Sequence, residues 1–124
     1  MSNKDYPRSY RLADQIQREL STLIRTEVKD PGISPLLTVS AVDVSRDLSQ
    51  AKIYITVLEE TQRESSMAAL SRAAGYLRSQ LANRLSTRSV PQLRFHYDES
   101  VERGEHLSGL IAAAVKSDAQ NDNS

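Results

Sequence analysis

The apolar period of this chain changes twice, and those changes set what it can fold into. From about Arg8 to Lys29, Leu12, Ile16, Leu20, Leu23, Ile24 and Val28 recur every three or four positions, the spacing of one helix face. At Lys29-Asp30-Pro31-Gly32 the helix must stop, because proline disfavours helical geometry in the residue before it and glycine favours a turn. Beyond this point the period drops to two. Leu37 to Ser45 alternates Val39 and Ala41 against Ser40 and Val42. Ala51 to Leu58 alternates Ala51, Ile53, Ile55 and Val57 against Lys52, Tyr54, Thr56 and Leu58. Two strands rich in β-branched residues, joined by the short linker Arg46-Asp47-Leu48-Ser49-Gln50, predict an antiparallel hairpin.

Helical spacing returns after Thr61-Gln62-Arg63-Glu64, which matches a capping box. It runs through Met67, Leu70, Ala74, Leu77, Leu81 and Leu85, and Val90-Pro91 breaks it. Leu93 to Tyr97 reads as a third strand, with Leu93, Phe95 and Tyr97 on one face and Arg94 and His96 on the other. Leu107, Leu110, Ile111, Ala114 and Val115 are spaced as one face of a last helix. The order α-β-β-α-α-β plus a C-terminal helix predicts one α+β domain, a three-stranded sheet covered by helices on one face. That domain is expected over residues 6–116, with a flexible N-terminus at 1–5 and a polar, disordered tail at 117–124.

Composition narrows the function classes. There is no cysteine, which removes disulfide frameworks and thiolate metal sites. No leader-like apolar run opens the chain and no segment approaches a membrane-spanning length, so a cytoplasmic location is expected. Neither a nucleophile elbow, a Walker loop, a dinucleotide glycine fingerprint nor a metal-ligand spacing occurs. The histidines are His96, on the polar face of a strand, and His106, before the last helix, and both read as surface residues. Asp43 and Asp47 lie at a strand end and a turn, where aspartate serves the backbone. The chain is read as a binding protein, not an enzyme, with no cofactor and no metal.

Net charge is zero, yet the charges are segregated. Ser65 to Tyr97 holds no Asp or Glu and five arginines, Arg72, Arg78, Arg84, Arg88 and Arg94. Asp98 to Ser124 holds six acids against Arg103 and Lys116. A strong local field can coexist with zero net charge. Arginine suits phosphate, because its guanidinium forks onto two oxygens. Arg11, Arg18 and Arg25, seven apart, lie on a ridge of the first helix opposite its apolar face. With five Tyr, one Phe and no Trp, the chain favours recognition of folded RNA shape and phosphates over base-by-base reading.

Gly75 interrupts the second helical pattern, and glycine inside a helix costs about 1 kcal/mol relative to alanine. One reading is a tolerated helix glycine, with close packing of another backbone as one reason for it. The other is a kink between two helices that share one apolar face, which would free backbone N–H groups for phosphate and draw the flanking arginines together.

The element order resembles a type II KH domain, an RNA-binding fold with a GXXG loop between two helices. This chain has no GXXG; Ala73-Ala74-Gly75, an AxG pattern, stands at that junction. With Glu27-Val28-Lys29-Asp30-Pro31, Val44-Ser45-Arg46-Asp47-Leu48, Ala74-Gly75-Tyr76-Leu77-Arg78 and Val90-Pro91-Gln92-Leu93-Arg94-Phe95-His96-Tyr97-Asp98, the chain resembles the ribosome-binding factor A family from about Tyr6 to Lys116. The resemblance implies an assembly factor that binds the free 30S small ribosomal subunit and its 16S rRNA late in maturation. It further implies help with 16S rRNA 5′-end processing, a role in cold adaptation, and a monomer without small-molecule substrate or membrane. The implied kink residues are Ala73 and Gly75, and the implied phosphate contacts are Arg72, Arg78, Arg84 and Arg88. Arg8, Arg11 and Arg18 on the first helix, and Arg46 and Lys52 on the hairpin, are further candidates. The alternatives are a general KH-like RNA binder without ribosome specificity and a domain whose basic face meets an acidic protein.

Overall fold

The computed structural model describes residues 7–86 and 89–100. The expected last helix, both expected tails, Arg88 and His106 lie outside the described residues. Helix α1 spans Arg8–Glu27 and buries Leu12, Ala13, Ile16, Leu20, Leu23 and Ile24, the face its spacing predicts. It ends where Val28 turns extended, just ahead of the Asp30-Pro31-Gly32 turn.

Strand β1 (Thr38–Val44) and strand β2 (Gln50–Thr56) form the expected antiparallel hairpin. Its turn is pinned by Asp47, whose Oδ1 accepts the Ser45 hydroxyl (2.7 Å), the Ser49 hydroxyl (2.7 Å) and the Ser49 N–H (3.0 Å). These bonds hold Leu48 at φ 64°, a left-handed conformation that non-glycine residues rarely adopt. Strand β3 (Gln92–Tyr97) pairs parallel to β2 on its other side, giving the order β1-β2-β3.

The alternation expected in β1 is corrected by a bulge. The register shifts between Val39 and Ala41, so the extra residue, Ser40, reverses the parity of the rest of the strand. Val42 and Val44 stand opposite Ile53 and Ala51 on the inner face, and Ala41 is exposed. Ser40 is tied down at the bulge, its Oγ 3.2 Å from the Tyr54 carbonyl and 2.6 Å from Asp98 Oδ2. Gln17 of α1 donates its Nε2 to the Val39 carbonyl (3.1 Å) and more weakly to that of Ser40 (3.4 Å), covering part of the β1 edge.

Helix α2 spans Arg63–Leu81 without interruption, so one helix replaces the two expected on either side of Gly75. Magnitudes explain this. Leu70, Leu77 and Leu81 are fully buried, each contributing about 1.5–3 kcal/mol. The glycine opposes them by only about 1 kcal/mol. Packing of the shared apolar face wins, and the helix yields only after Leu81. The expected capping box is also absent. A short 3-10 turn, Glu60–Gln62, precedes α2, and its N-cap Gln62 makes no side-chain cap bond.

Both helices lie on the inner face, with Ile53 and Ile55 of β2 at the centre of the core. The chain between α1 and β1 is clasped to α2 by two buried serines. Ser34 donates its N–H to Ser66 Oγ at 2.9 Å, and Ser66 Oγ lies 3.3 Å from the Gly32 carbonyl. A Cβ on Gly32 would come within 3.1 Å of the Ser65 carbonyl oxygen, a contact tight enough that the helix backbone would have to give by a few tenths of an ångström.

Candidate nucleic-acid interface

The arginines expected to contact phosphate from α2 are each held by a different neighbour. Arg72 is exposed and its Nη2 reaches Asp30 Oδ2 at 2.9 Å. Arg78 lies on the β3 side of the helix and donates Nε (3.1 Å) and Nη2 (2.8 Å) to the Val90 carbonyl. Arg84, just beyond the helix end, pairs with Glu19 of α1 at 3.2 Å. Tyr76 is 46 % exposed, and its hydroxyl donates to Glu27 at 3.3 Å. Helix α2 runs unbroken through Gly75, and these side chains reach separate partners.

Their pairing explains how a segment free of acids stays compatible with the fold. The acids arrive from α1 and the loop after it. Asp30 accepts the Gly32 N–H at 2.9 Å, and that bond, followed by the one from Arg72, lowers its carboxyl below the ordinary range. Arg72 and Arg84 sit in solvent-exposed pairs, which are weak enough to exchange for another anion. Arg78, forked onto a backbone carbonyl, acts as a strut between α2 and the lead-in to β3.

Ala73 is half-buried against the core. Gly75 is exposed, has no left-handed φ, and a Cβ built there would meet nothing within 4 Å. Of the two readings of this glycine, the structure shows the tolerated helix glycine, with neither a helix break nor a close backbone neighbour found among the described residues.

Helix α1 carries the more open cations. Arg8, Arg11 and Arg18 are exposed and their guanidinium groups make no hydrogen bond or ion pair among the described residues, and the same holds for Arg25. Seven residues of helix rise about 10 Å, so Arg11, Arg18 and Arg25 form a row about 20 Å long directly opposite the buried face. Arg25 is not among the contacts expected from the sequence, although its seven-residue spacing from Arg18 is the signal that finds it. Arg46 is exposed at the hairpin turn, and Lys52 is exposed on the outer sheet face, away from the α1 row.

No metal-binding arrangement accompanies these features among the described residues. No cluster of three His, Asp or Glu side chains is placed to hold a metal there. Asp43 faces Lys52 across the hairpin, and Asp47 is consumed by its serines, which lower its pKa to about 2. His96 is exposed beside the Tyr54 ring. No described helix is long and apolar enough to cross a membrane.

Comparison with known proteins agrees on one family. The family model for ribosome-binding factor A matches residues 8–111. A ribosome-binding factor A from Pseudomonas fluorescens is 55% identical over 121 residues, covering 95% of this chain and 90% of that protein. One from Pseudomonas putida is 56% identical over 118 residues, covering 93% and 89%. The crystal structure of ribosome-binding factor A from Thermus thermophilus superposes with a TM-score of 0.65 at 36% identity, over 72% of this chain and 93% of that one. A Thermus thermophilus ribosome-binding factor A model, fitted into a cryo-EM map of its 30S complex, superposes at 0.59 with 34% identity, over 70% and 91%.

Proposed function

The chain belongs to the ribosome-binding factor A family, and on that premise we propose that it binds the free 30S small ribosomal subunit through its 16S rRNA. It acts late in subunit maturation, assists processing of the 16S rRNA 5′ end, and supports growth in the cold, where misfolded RNA helices escape slowly. It works as a monomeric binding protein of the cytoplasm, without catalysis, in which residues 6–116 form the KH-like RNA-binding unit.

The observation that carries this reading is the row of unpaired arginines on α1, Arg11, Arg18 and Arg25. Opposite the core and clear of carboxylate partners among the described residues, the row offers guanidinium forks to backbone phosphates without breaking an ion pair. Arg8 extends it. Arg72 and Arg84 join once RNA phosphate displaces Asp30 and Glu19. The Thermus relative is described in complex with a 30S particle, which supports the same choice of partner.

The test is co-sedimentation of the purified protein with small subunits, large subunits and joined ribosomes at low and moderate salt. Selective pelleting with free small subunits is expected. Equal binding to every RNA-containing particle, lost as salt rises, would reduce the protein to a general RNA binder. Absence of binding would point to an acidic protein partner instead.

A further inference from the structure

The outer face of the sheet is uncovered among the described residues and carries an ordered set of side chains. Lys52 of β2 and Arg94 of β3 are register partners, both exposed. Neither side chain makes an ion pair or hydrogen bond among the described residues. Two residues further along the same strands, and so on the same face, Tyr54 and His96 are partners too. Their ring centroids lie 5.8 Å apart at an interplanar angle of 34°.

The carboxylates nearby do not cancel this charge. Asp43 faces Lys52 from β1 without closing an ion pair. Asp98, beyond the end of β3, lies 2.6 Å from the Ser40 hydroxyl. A basic pair beside two aromatic rings is the chemistry that single-stranded nucleic acid requires: a flat π-face for a base and cations for the backbone. A folded duplex cannot use the rings, because its bases are stacked inside.

We propose that this open sheet face is a second RNA-binding surface, on the side of the molecule away from α1, and that it takes a single-stranded RNA segment. A base stacks on the Tyr54–His96 pair while Lys52 and Arg94 hold flanking phosphates. The proposal rests on RNA being the ligand, but not on the α1 row being its other contact.

The experiment measures fluorescence anisotropy of the full chain with a labelled oligouridine of about 12 nucleotides, within the usual single-strand site size, and with an RNA duplex of the same length. The His96→Ala and Tyr54→Leu variants should each weaken oligouridine binding about tenfold and leave duplex binding unchanged. Lys52→Glu with Arg94→Glu should weaken it too, and should flatten the salt dependence of log K by about 1.4, two single-strand phosphate contacts.

His96 is exposed, so its variant stays informative even where Tyr54→Leu disturbs the sheet. Near-ultraviolet circular dichroism reports which variants keep the fold. If the full chain does not bind oligouridine, or if folded His96→Ala binds it as the wild type does, the proposal fails. Arg11→Glu with Arg18→Glu, assayed by small-subunit co-sedimentation, tests the α1 surface separately, so failure of one surface is not failure of the other.

Discussion

Single residues decide how much strain and charge this molecule carries. Gly75 spends helix stability on nothing visible inside the fold, since a Cβ there meets nothing. Gly75→Ala should therefore raise stability by about 1 kcal/mol in urea unfolding, and any loss of small-subunit binding by that variant would assign the glycine to a partner. Gly32 is the opposite case. Alanine there would press on the Ser65 carbonyl, and the same measurement should show a loss of about 1–3 kcal/mol, as for other overpacked sites. Asp47 sets the acid limb. Its folded-state pKa, held at about 2 first by the Ser45 hydroxyl and then by Ser49, lies below its ordinary value. The ionised carboxylate is thus the form folding favours, and its stabilisation is complete above about pH 4. It is lost as pH falls from there toward about 2. Thermal melts across that window should decline more steeply for the wild type than for Asp47→Ala.

At the scale of elements, hydrophobic period was legible and the pairing of charges between elements was not. The helical stretch before residue 28, the hairpin and the third strand stand within about two residues of where period alone puts them. Two features escaped for physical reasons. The bulge at Ser40 leaves no trace in so short a strand, because its stabilising partners, Tyr54 and Asp98, are remote in sequence. The acid-free stretch suggests a bare basic surface, yet Glu19 and Asp30 reach it from the preceding elements. Sequence-local charge counts cannot see such pairings. The α1 row was legible as a ridge, because helical geometry is local. Charge reversal by Arg11→Glu and Arg18→Glu should weaken small-subunit binding and reduce its salt slope by about two, with the circular dichroism spectrum unchanged. The clasp between the post-α1 loop and α2 makes a second expectation. Ser66→Ala strands the buried Ser34 N–H and should cost about 1–3 kcal/mol in equilibrium unfolding.

For the whole molecule, the sheet divides two surfaces of different chemistry, a helical ridge of cations and an outer face of paired rings and cations. Its middle strand is also its most demanding. On one side β2 meets β1 across a tight turn, but on the other it meets β3, with Gln50 opposite Gln92 and Ile55 opposite Tyr97. A chain synthesised from its N-terminus can close the hairpin early and lay α1 upon it. One edge of β2 must still wait, hydrogen-bonding groups and apolar flank exposed, until all of α2 and then Leu93 to Tyr97 have emerged. The nascent protein therefore completes this sheet only once β3 has emerged. For that interval it stays at the ribosome, the particle that gives its family its name.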